Sequence, residues 1–272
     1  MRKDFKVLFM DIKKISSLLE KAVKNISKDE KKIAIAFSGS LDSTTLAAIA
    51  RNFCPVKLIT IATDRQSSDY IYSKKVAEEL GLNIHFVFVS IEDILKVYKK
   101  LWSLKPGTLI DMEIMLAVYF ISKKAKELGC KKIIFGSGAE ELFVGYNKYF
   151  VAMEEKKDLE RLLDLELKTL PLRDIYRIKK VAKLFNLKAY FPYLNKSFVK
   201  EVKKIPLHLQ INKELSKPIL RKIARLFAVP DFVVLRKKKA LQYGSKIHNL
   251  FLKLAKNKKI YALPPRPPFV YS

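Results

Sequence analysis

Lys31-Lys32-Ile33-Ala34-Ile35-Ala36-Phe37-Ser38-Gly39-Ser40-Leu41-Asp42-Ser43 decides the fold. A short β-branched and apolar run ends in small residues, and Asp42 to Arg51 (DSTTLAAIAR) then reads as a helix. Acidic and hydroxyl side chains fill that helix's first turn, where they favour helix starts. The stretch is a buried strand, a tight loop and a helix. The alternation continues outward. VKLITIA (56–62), NIHFVFV (83–89) and KKIIFGSG (131–138) read as strands, and Asp69–Leu80, Ile91–Trp102 and Asp111–Leu128 as helices. Gly81 and Gly129 close two of these helices, and Lys105-Pro106-Gly107 is a turn. Upstream, 11–26 reads as an amphipathic helix with Ile12, Ile15, Leu18, Leu19, Ala22 and Val23 on one face. Strands alternating with helices imply an α/β fold, a parallel sheet covered on both faces. Ligands of such sheets bind at the carboxyl ends of strands. The two glycine-containing loops there, 38–43 and 136–146, are therefore the candidate site.

After residue 150 the character changes. Glu154–Leu170, Leu172–Leu187, Asn195–Lys204, Leu215–Phe227 and Ser245–Ala255 read as helices. The expected organisation is an N-terminal helix (1–30), an α/β core (31–150), a helical part (151–258) and an extended Pro-rich tail (259–272).

The 272 residues hold 54 Lys+Arg against 27 Asp+Glu, a formal charge of +27. Residues 151–272 carry 29 basic and 10 acidic groups, so the excess lies in the helical part. Such a field attracts polyanions and makes RNA a candidate partner. Of the 54 cations 44 are Lys, however, and a Lys-rich solvated surface has the same composition. An apolar share of 49% excludes general disorder, and no 18-residue uncharged apolar run exists to span a membrane. Cys54 and Cys130 are too far apart for a CxxC site, and two cysteines make no disulfide scaffold. No signal peptide is legible, so a cytoplasmic setting is expected. His85, His208 and His248 lack a second ligand at zinc spacing. Trp102 and the aromatic stretch 143–150 read as packing.

Small residues after a strand let backbone N–H groups approach an anion, and the helix N-terminus favours negative charge. The hydroxyls of Ser38, Ser40 and Ser43 can donate to phosphate oxygens. Asp42 would repel phosphate unless a cation lies between, which implies Mg²⁺.

Ser38-Gly39-Ser40-Leu41-Asp42-Ser43 resembles the SGGxDS pyrophosphate loop of the N-type ATP pyrophosphatases. It is not a Walker A loop, since the GK[ST] ending is missing. Gly136-Ser137-Gly138-Ala139-Glu140-Glu141-Leu142-Phe143-Val144-Gly145-Tyr146 is similar to the GEGxDExFxGY segment of the asparagine synthetase synthetase domain. Lys217-Pro218-Ile219-Leu220-Arg221 with Val229-Pro230 and Arg236-Lys237-Lys238 resembles that family's K-x-x-LR…P…R-x-K. Phe191-Pro192-Tyr193-Leu194-Asn195 resembles its PFLD. The four motifs stand in family order over residues 30–245.

The resemblance implies a five-stranded, doubly wound parallel sheet of the adenine nucleotide alpha hydrolase type. It implies an amide ligase using ATP and Mg²⁺. A carboxylate attacks the α-phosphate to give an acyl-adenylate and pyrophosphate, and ammonia or an amine then displaces AMP. Asp42 and Glu140 match the metal-binding carboxylates and Lys238 the catalytic lysine, with Lys237 and Lys239 as adjacent rivals. Phe37, Thr63, Phe135 and Gly136 match positions lining the adenosine. Ser38, Gly39, Ser40, Asp42, Ser43, Ser137 and Gly138 complete the nucleotide set. If Asp42 and Glu140 share one ion, their oxygens should lie within about 4–6 Å at ~2.0–2.1 Å per Mg–O bond.

Four departures stand out. Ser40 replaces a glycine, Glu140 and Asn195 replace aspartates, and Ser137 replaces the glutamate that takes a proton from the attacking ammonia. A serine is not that base unaided, so either the amine-transfer half differs or the base comes from elsewhere, such as Glu141 or the substrate. Residue 2 is Arg, so the family's glutaminase half, which needs an N-terminal cysteine nucleophile, is not expected. Ammonia or an amine then comes from solution, the substrate or a separate subunit. Two other readings share the loop: a tRNA-modifying enzyme that adenylates a nucleobase, and a nucleotide-binding protein without turnover.

Overall fold

The computed structural model describes residues 2–212, 214–236 and 247–264. The first half runs α1 (Arg2–Ser27), β1 (Ile33–Ala36), α2 (Leu41–Ala50), β2 (Val56–Ala62), α3 (Ser68–Glu79), β3 (Ile84–Phe88), α4 (Ile91–Leu104), α5 (Leu109–Glu127) and β4 (Lys132–Ile134). Next come α6 (Ala139–Leu142), α7 (Asn147–Glu154), α8 (Leu159–Thr169), α9 (Asp174–Lys183) and β5 (Lys188–Tyr190). The helices α10 (Lys196–Val202), α11 (Leu207–Gln210), α12 (Pro218–Leu226), α13 (Asp231–Val234) and α14 (Ile247–Lys256) follow. Ser90 and Thr108 start α4 and α5 with reciprocal capping boxes to Asp93 and Asp111.

All five strands are parallel, in the order β3-β2-β1-β4-β5. The chain winds from β1 outward to β3, then crosses to β4 on the other side of β1. This reversal opens a crevice between the carboxyl ends of β1 and β4, where doubly wound sheets hold ligands.

Strand alternation sorts the core into two faces. Ile33, Ile35 and Leu58 pack with Leu19, Val23, Leu46, Ile49 and Ile223 under α1, α2 and α12. Ala34, Ile59, Ile61 and Ile133 pack with Ile94, Met115, Val181 and Phe251 under α4, α5, α9 and α14. A smaller cluster of Val144, Tyr149, Ala152, Leu159 and Leu162 ties α7 and α8 to the loop after β4.

The four strands expected from sequence are present, and the fifth is β5. Its three residues are half-buried or exposed and lie within no alternating run, so only pairing with β4 marks them as a strand. The expected helix 154–170 is broken: Lys156 takes a φ of +55°, and Asp158 caps a new helix by accepting from the Arg161 N–H at 3.0 Å. Cys54 and Cys130 are free and buried. No described helix is long and apolar enough to cross a membrane. The expected helix start at 245–246 and most of the Pro-rich tail lie outside the described residues.

Candidate functional site

The loop after β1 turns on Gly39, with φ +70°. A Cβ there would sit 3.0 Å from the Ser73 Cα of α3, so glycine alone fits. The turn gathers three hydroxyls. Ser38 Oγ donates to Ser40 Oγ at 3.0 Å, and the Ser38 N–H donates to Ser43 Oγ at 3.3 Å. Ser40 is the N-cap of α2, yet its hydroxyl makes no capping bond. A hydroxyl cluster at an uncapped helix start suits an anion.

Asp42 meets the loop after β4 through a residue to which sequence analysis assigned no role. Lys217 Nζ donates to Asp42 Oδ1 and Oδ2 at 2.7 and 2.6 Å, and to Glu140 Oε1 at 2.8 Å. Those bonds keep the two carboxylates inside the span of about 6 Å that one shared Mg²⁺ requires. Lys217 is 4% exposed. Burial alone would depress its ammonium; the Asp42 and Glu140 charges outweigh that and hold its pKa above the ordinary lysine value. Its backbone is left-handed (φ +62°) just before Pro218 opens α12. That conformation costs a non-glycine residue about 1–2 kcal/mol, so the fold strains the chain to deliver this amine. Gly145 completes the cluster by absence: a Cβ there would lie 2.0 Å from Glu140 Oε2 and 2.3 Å from Lys217 Cε.

The Phe191–Asn195 motif braces both loops. Tyr193, fully buried, donates its hydroxyl to the Asp42 carbonyl at 2.9 Å. Leu194 packs on Gly138, which has φ +96° and whose Cβ would come 2.4 Å from Leu194 Cδ2. Asn195 caps α10, accepting from the Ser197 and Phe198 N–H groups at 3.1 and 3.3 Å. Tyr193→Phe removes one buried bond and is expected to cost about 1 kcal/mol, read as a melting-temperature drop of roughly 2–4 °C with an unchanged far-UV spectrum.

A cavity of about 330 Å³ opens over these loops, within the range of small-molecule sites. Its apolar lining includes Ala36, Phe37, Ile61, Ile121 and Phe135, with Phe135 stacked on Phe191 at 5.9 Å. Its polar and glycine lining includes Ser38, Ser40, Asp42, Ser43, Gly136, Ser137, Gly138, Glu140 and Lys217. Two expected residues stand aside. Thr63 follows β2 and donates to Asp64 Oδ2 at 3.2 Å, outside the cavity wall, and Gly39 acts behind the loop. Arg221 grips the carbonyls of Ser216 (2.6 Å), Val234 and Arg236 (3.1 Å). Arg236 lies over the Tyr72 ring at 3.3 Å. Lys237, Lys238 and Lys239 lie outside the described residues.

Glu141, Tyr146 and Asp174 also line the cavity. Tyr146, expected as packing, thus belongs to the cavity wall. Glu141 is 3% exposed, and burial pushes its carboxyl up to about 7, with Glu140, Asp174 and Glu166 adding repulsion. Its folded pKa exceeds the ordinary 4.5, so the resulting destabilisation is absent below about pH 4.5 and grows as pH rises to about 7. Glu141→Gln is therefore expected to be about 3 kcal/mol more stable than wild type above pH 7, and no more stable near pH 4. Melts in metal-free buffer at both pH values test this; an equal difference at both would contradict it.

The donor set fits a hard divalent ion: two carboxylates that already share one cation, beside three hydroxyls. Among the described residues, no group of three or more His, Cys, Asp or Glu makes a further metal site.

Fold and site together define a doubly wound α/β protein with a hydroxyl-rich loop at the switch point of its sheet. The chain belongs to the asparagine synthase family, whose profile matches residues 14–160 and 151–259. It is 26% identical over 266 residues to a Methanocaldococcus jannaschii protein provisionally named asparagine synthetase [glutamine-hydrolyzing] 1, covering 83% of this chain and 48% of that one. It is 30% identical over 176 residues to asparagine synthetase [glutamine-hydrolyzing] 1 of Arabidopsis thaliana, covering 61% and 30%. The chain thus spans about half or less of the length of these curated relatives. Among solved structures, an NMN synthetase from Francisella tularensis aligns with a TM-score of 0.39 at 15% identity, over 95% of this chain and 98% of that one. That likeness is too distant to carry an argument.

Proposed function

We propose that the chain is an ATP-dependent, AMP- and pyrophosphate-forming amide ligase acting on a small carboxylic acid. The observation that supports this best is the meeting of the Ser38–Ser43 loop with Glu140 at the β1–β4 crevice, around the one ammonium of Lys217. The apolar lining at Phe37 and Phe135 takes adenosine. The hydroxyls of Ser38, Ser40 and Ser43 hold the departing diphosphate. Asp42 and Glu140 would hold Mg²⁺, which neutralises and orients phosphate oxygens.

A carboxylate oxygen of the substrate attacks the α-phosphorus. One P–O bond forms, the α–β bridge breaks, and pyrophosphate leaves with the electron pair. Lys217 offsets charge on the leaving oxygens, as preorganised cations do. Ammonia or an amine then attacks the acyl carbon. A C–N bond forms, the C–O bond to AMP breaks, and the nitrogen gives up one proton. Glu141 and the substrate remain the candidates for taking it, Ser137 being no base.

ATP–pyrophosphate exchange over a panel of acids tests the reading. Label exchange is expected only with Mg²⁺ and a carboxylate, and Asp42→Ala is expected to lose at least 100-fold. ATP binding with no exchange across the panel would leave a nucleotide-binding protein and end the ligase reading.

A further inference from the structure

Among the described residues the cations that line the cavity are Lys217, Arg221 and Arg236. Two of them are engaged by the protein itself. Lys217 binds Asp42 and Glu140, and the Arg221 guanidinium donates to the carbonyls of Ser216, Val234 and Arg236. Arg236 differs: no carboxylate among the described residues pairs with it. Its guanidinium carbon lies 3.3 Å from the centroid of the Tyr72 ring. At that separation only a face-to-face stack fits, because an edge-on guanidinium would drive a nitrogen into the ring. A stack uses the flat face of the guanidinium and leaves the N–H fork at its edge for an anion. Tyr72, half-buried on α3, is fixed from two sides. Its hydroxyl donates to the Phe232 carbonyl at 3.2 Å, four residues ahead of Arg236. Its ring abuts the loop after β1, since a Cβ on Gly39 would lie 3.1 Å from Tyr72 Cδ1. One side chain thus ties the turn of the Ser38–Ser43 loop to a cavity cation that has no counter-anion among the described residues.

We infer that Tyr72 is a positioning residue that holds Arg236 beside the Ser38–Ser43 loop, where the guanidinium receives phosphate oxygens of a bound nucleotide. The inference rests on the nucleotide-binding part of the ligase reading. The loop hydroxyls and the start of α2 offer neutral donors and a partial charge; a guanidinium adds a full charge and charge-assisted bonds roughly twice as strong. An arginine side chain loses much rotamer freedom when a ligand fixes it, and a stack that fixes it beforehand removes that loss from binding. The effect belongs to phosphate charge and not to base or sugar, so it separates nucleotides by their phosphates. Tyr72 lies outside the four motifs, and only its contacts mark it.

The experiment measures binding of ATP, inorganic pyrophosphate and adenosine by titration calorimetry in Mg²⁺ buffer. Wild type is compared with Tyr72→Phe, Tyr72→Leu, Arg236→Gln and the double variant Tyr72→Leu with Arg236→Gln. Tyr72→Leu should weaken ATP and pyrophosphate roughly tenfold, the scale of a half-buried cation–π contact, and leave adenosine within about twofold of wild type. Tyr72→Phe keeps the stacking face and should stay within about threefold of wild type for all ligands. Arg236→Gln should lose at least as much as Tyr72→Leu, and the double variant no more than Arg236→Gln alone, because Tyr72 acts through Arg236. Arg236→Lys probes the stack with Tyr72 in place: it keeps the charge, loses the planar fork and should weaken ATP about fivefold or more. Wild-type affinity for ATP in Tyr72→Leu or Arg236→Lys, an equal loss for adenosine, or losses that multiply in the double variant would each overturn the inference. A phosphate-selective loss without exchange in wild type leaves the inference standing and the ligase reading fallen. Exchange by wild type with ATP affinity unchanged in Tyr72→Leu overturns the inference and leaves the ligase reading intact.

Discussion

Lys217→Met lowers the melting temperature by roughly 6–20 °C and abolishes exchange. Removing one partner of a buried ion pair costs about 3–5 kcal/mol, because the remaining charges stay buried and uncompensated. A chain of this size loses about 2–4 °C per kcal/mol. Here the remainder is two carboxylates, Asp42 and Glu140, that shared one ammonium at 2.6–2.8 Å. The same variant should gain more stability from millimolar Mg²⁺ than wild type does, since the divalent ion then answers a pair with no resident cation. Differential scanning calorimetry with and without Mg²⁺ reads both effects. A melting temperature within 2 °C of wild type would show that Lys217 is dispensable to the pair. A Mg²⁺ gain no larger than that of wild type would show that the pair is not a metal seat.

Gly145→Ala is the second large effect. The new methyl carbon would begin 2.0 Å from Glu140 Oε2 and 2.3 Å from Lys217 Cε, far inside contact distance. Both neighbours belong to the cluster, so relief requires moving a carboxylate or the ammonium by about 1 Å or more. A displacement of that order at reacting groups costs on the order of 100-fold in rate. Overpacking itself costs about 1–3 kcal/mol. The expected result is a folded protein with at least 100-fold slower exchange and a modestly lower melting temperature. Gly81→Ala is the control: its φ is positive (+65°), unlike that of Gly145, yet nothing lies within 4 Å of its added Cβ, so exchange should persist. Full activity in Gly145→Ala would mean that the Lys217 contacts can be remade elsewhere.

Local chemistry made the α/β half legible. Short apolar strand runs, hydroxyl and acidic residues in the first turn of the helix after β1, and closing glycines each act within a few residues, so the sequence reports them directly. The loops 38–43 and 136–146 were identifiable for the same reason, since a turn needing Gly39 and a cluster of hydroxyls at a helix start leave their residue types in order. Four features exceeded that range. The strand Lys188–Tyr190 is defined by its neighbour β4 and not by its own pattern. Tyr146 looked like packing because an aromatic carries no sign of which face it presents. Lys217 stood inside a quoted motif, yet nothing in Lys-Pro reveals a left-handed residue aimed at carboxylates 175 and 77 positions away. Tyr193 bonds a carbonyl 151 positions distant.

The amino-acid sequence by itself determined the order of the first four strands and the helices between them, the hydroxyl loop and the pair of acidic positions, because backbone propensity, hydrophobic period and short motifs are local quantities. Only the tertiary structure decided that β4 returns beside β1, that one buried ammonium joins Asp42 to Glu140, and that Glu141 is enclosed among like charges. Those are distances between remote side chains and the desolvation of each, and both exist only once the chain has closed around them.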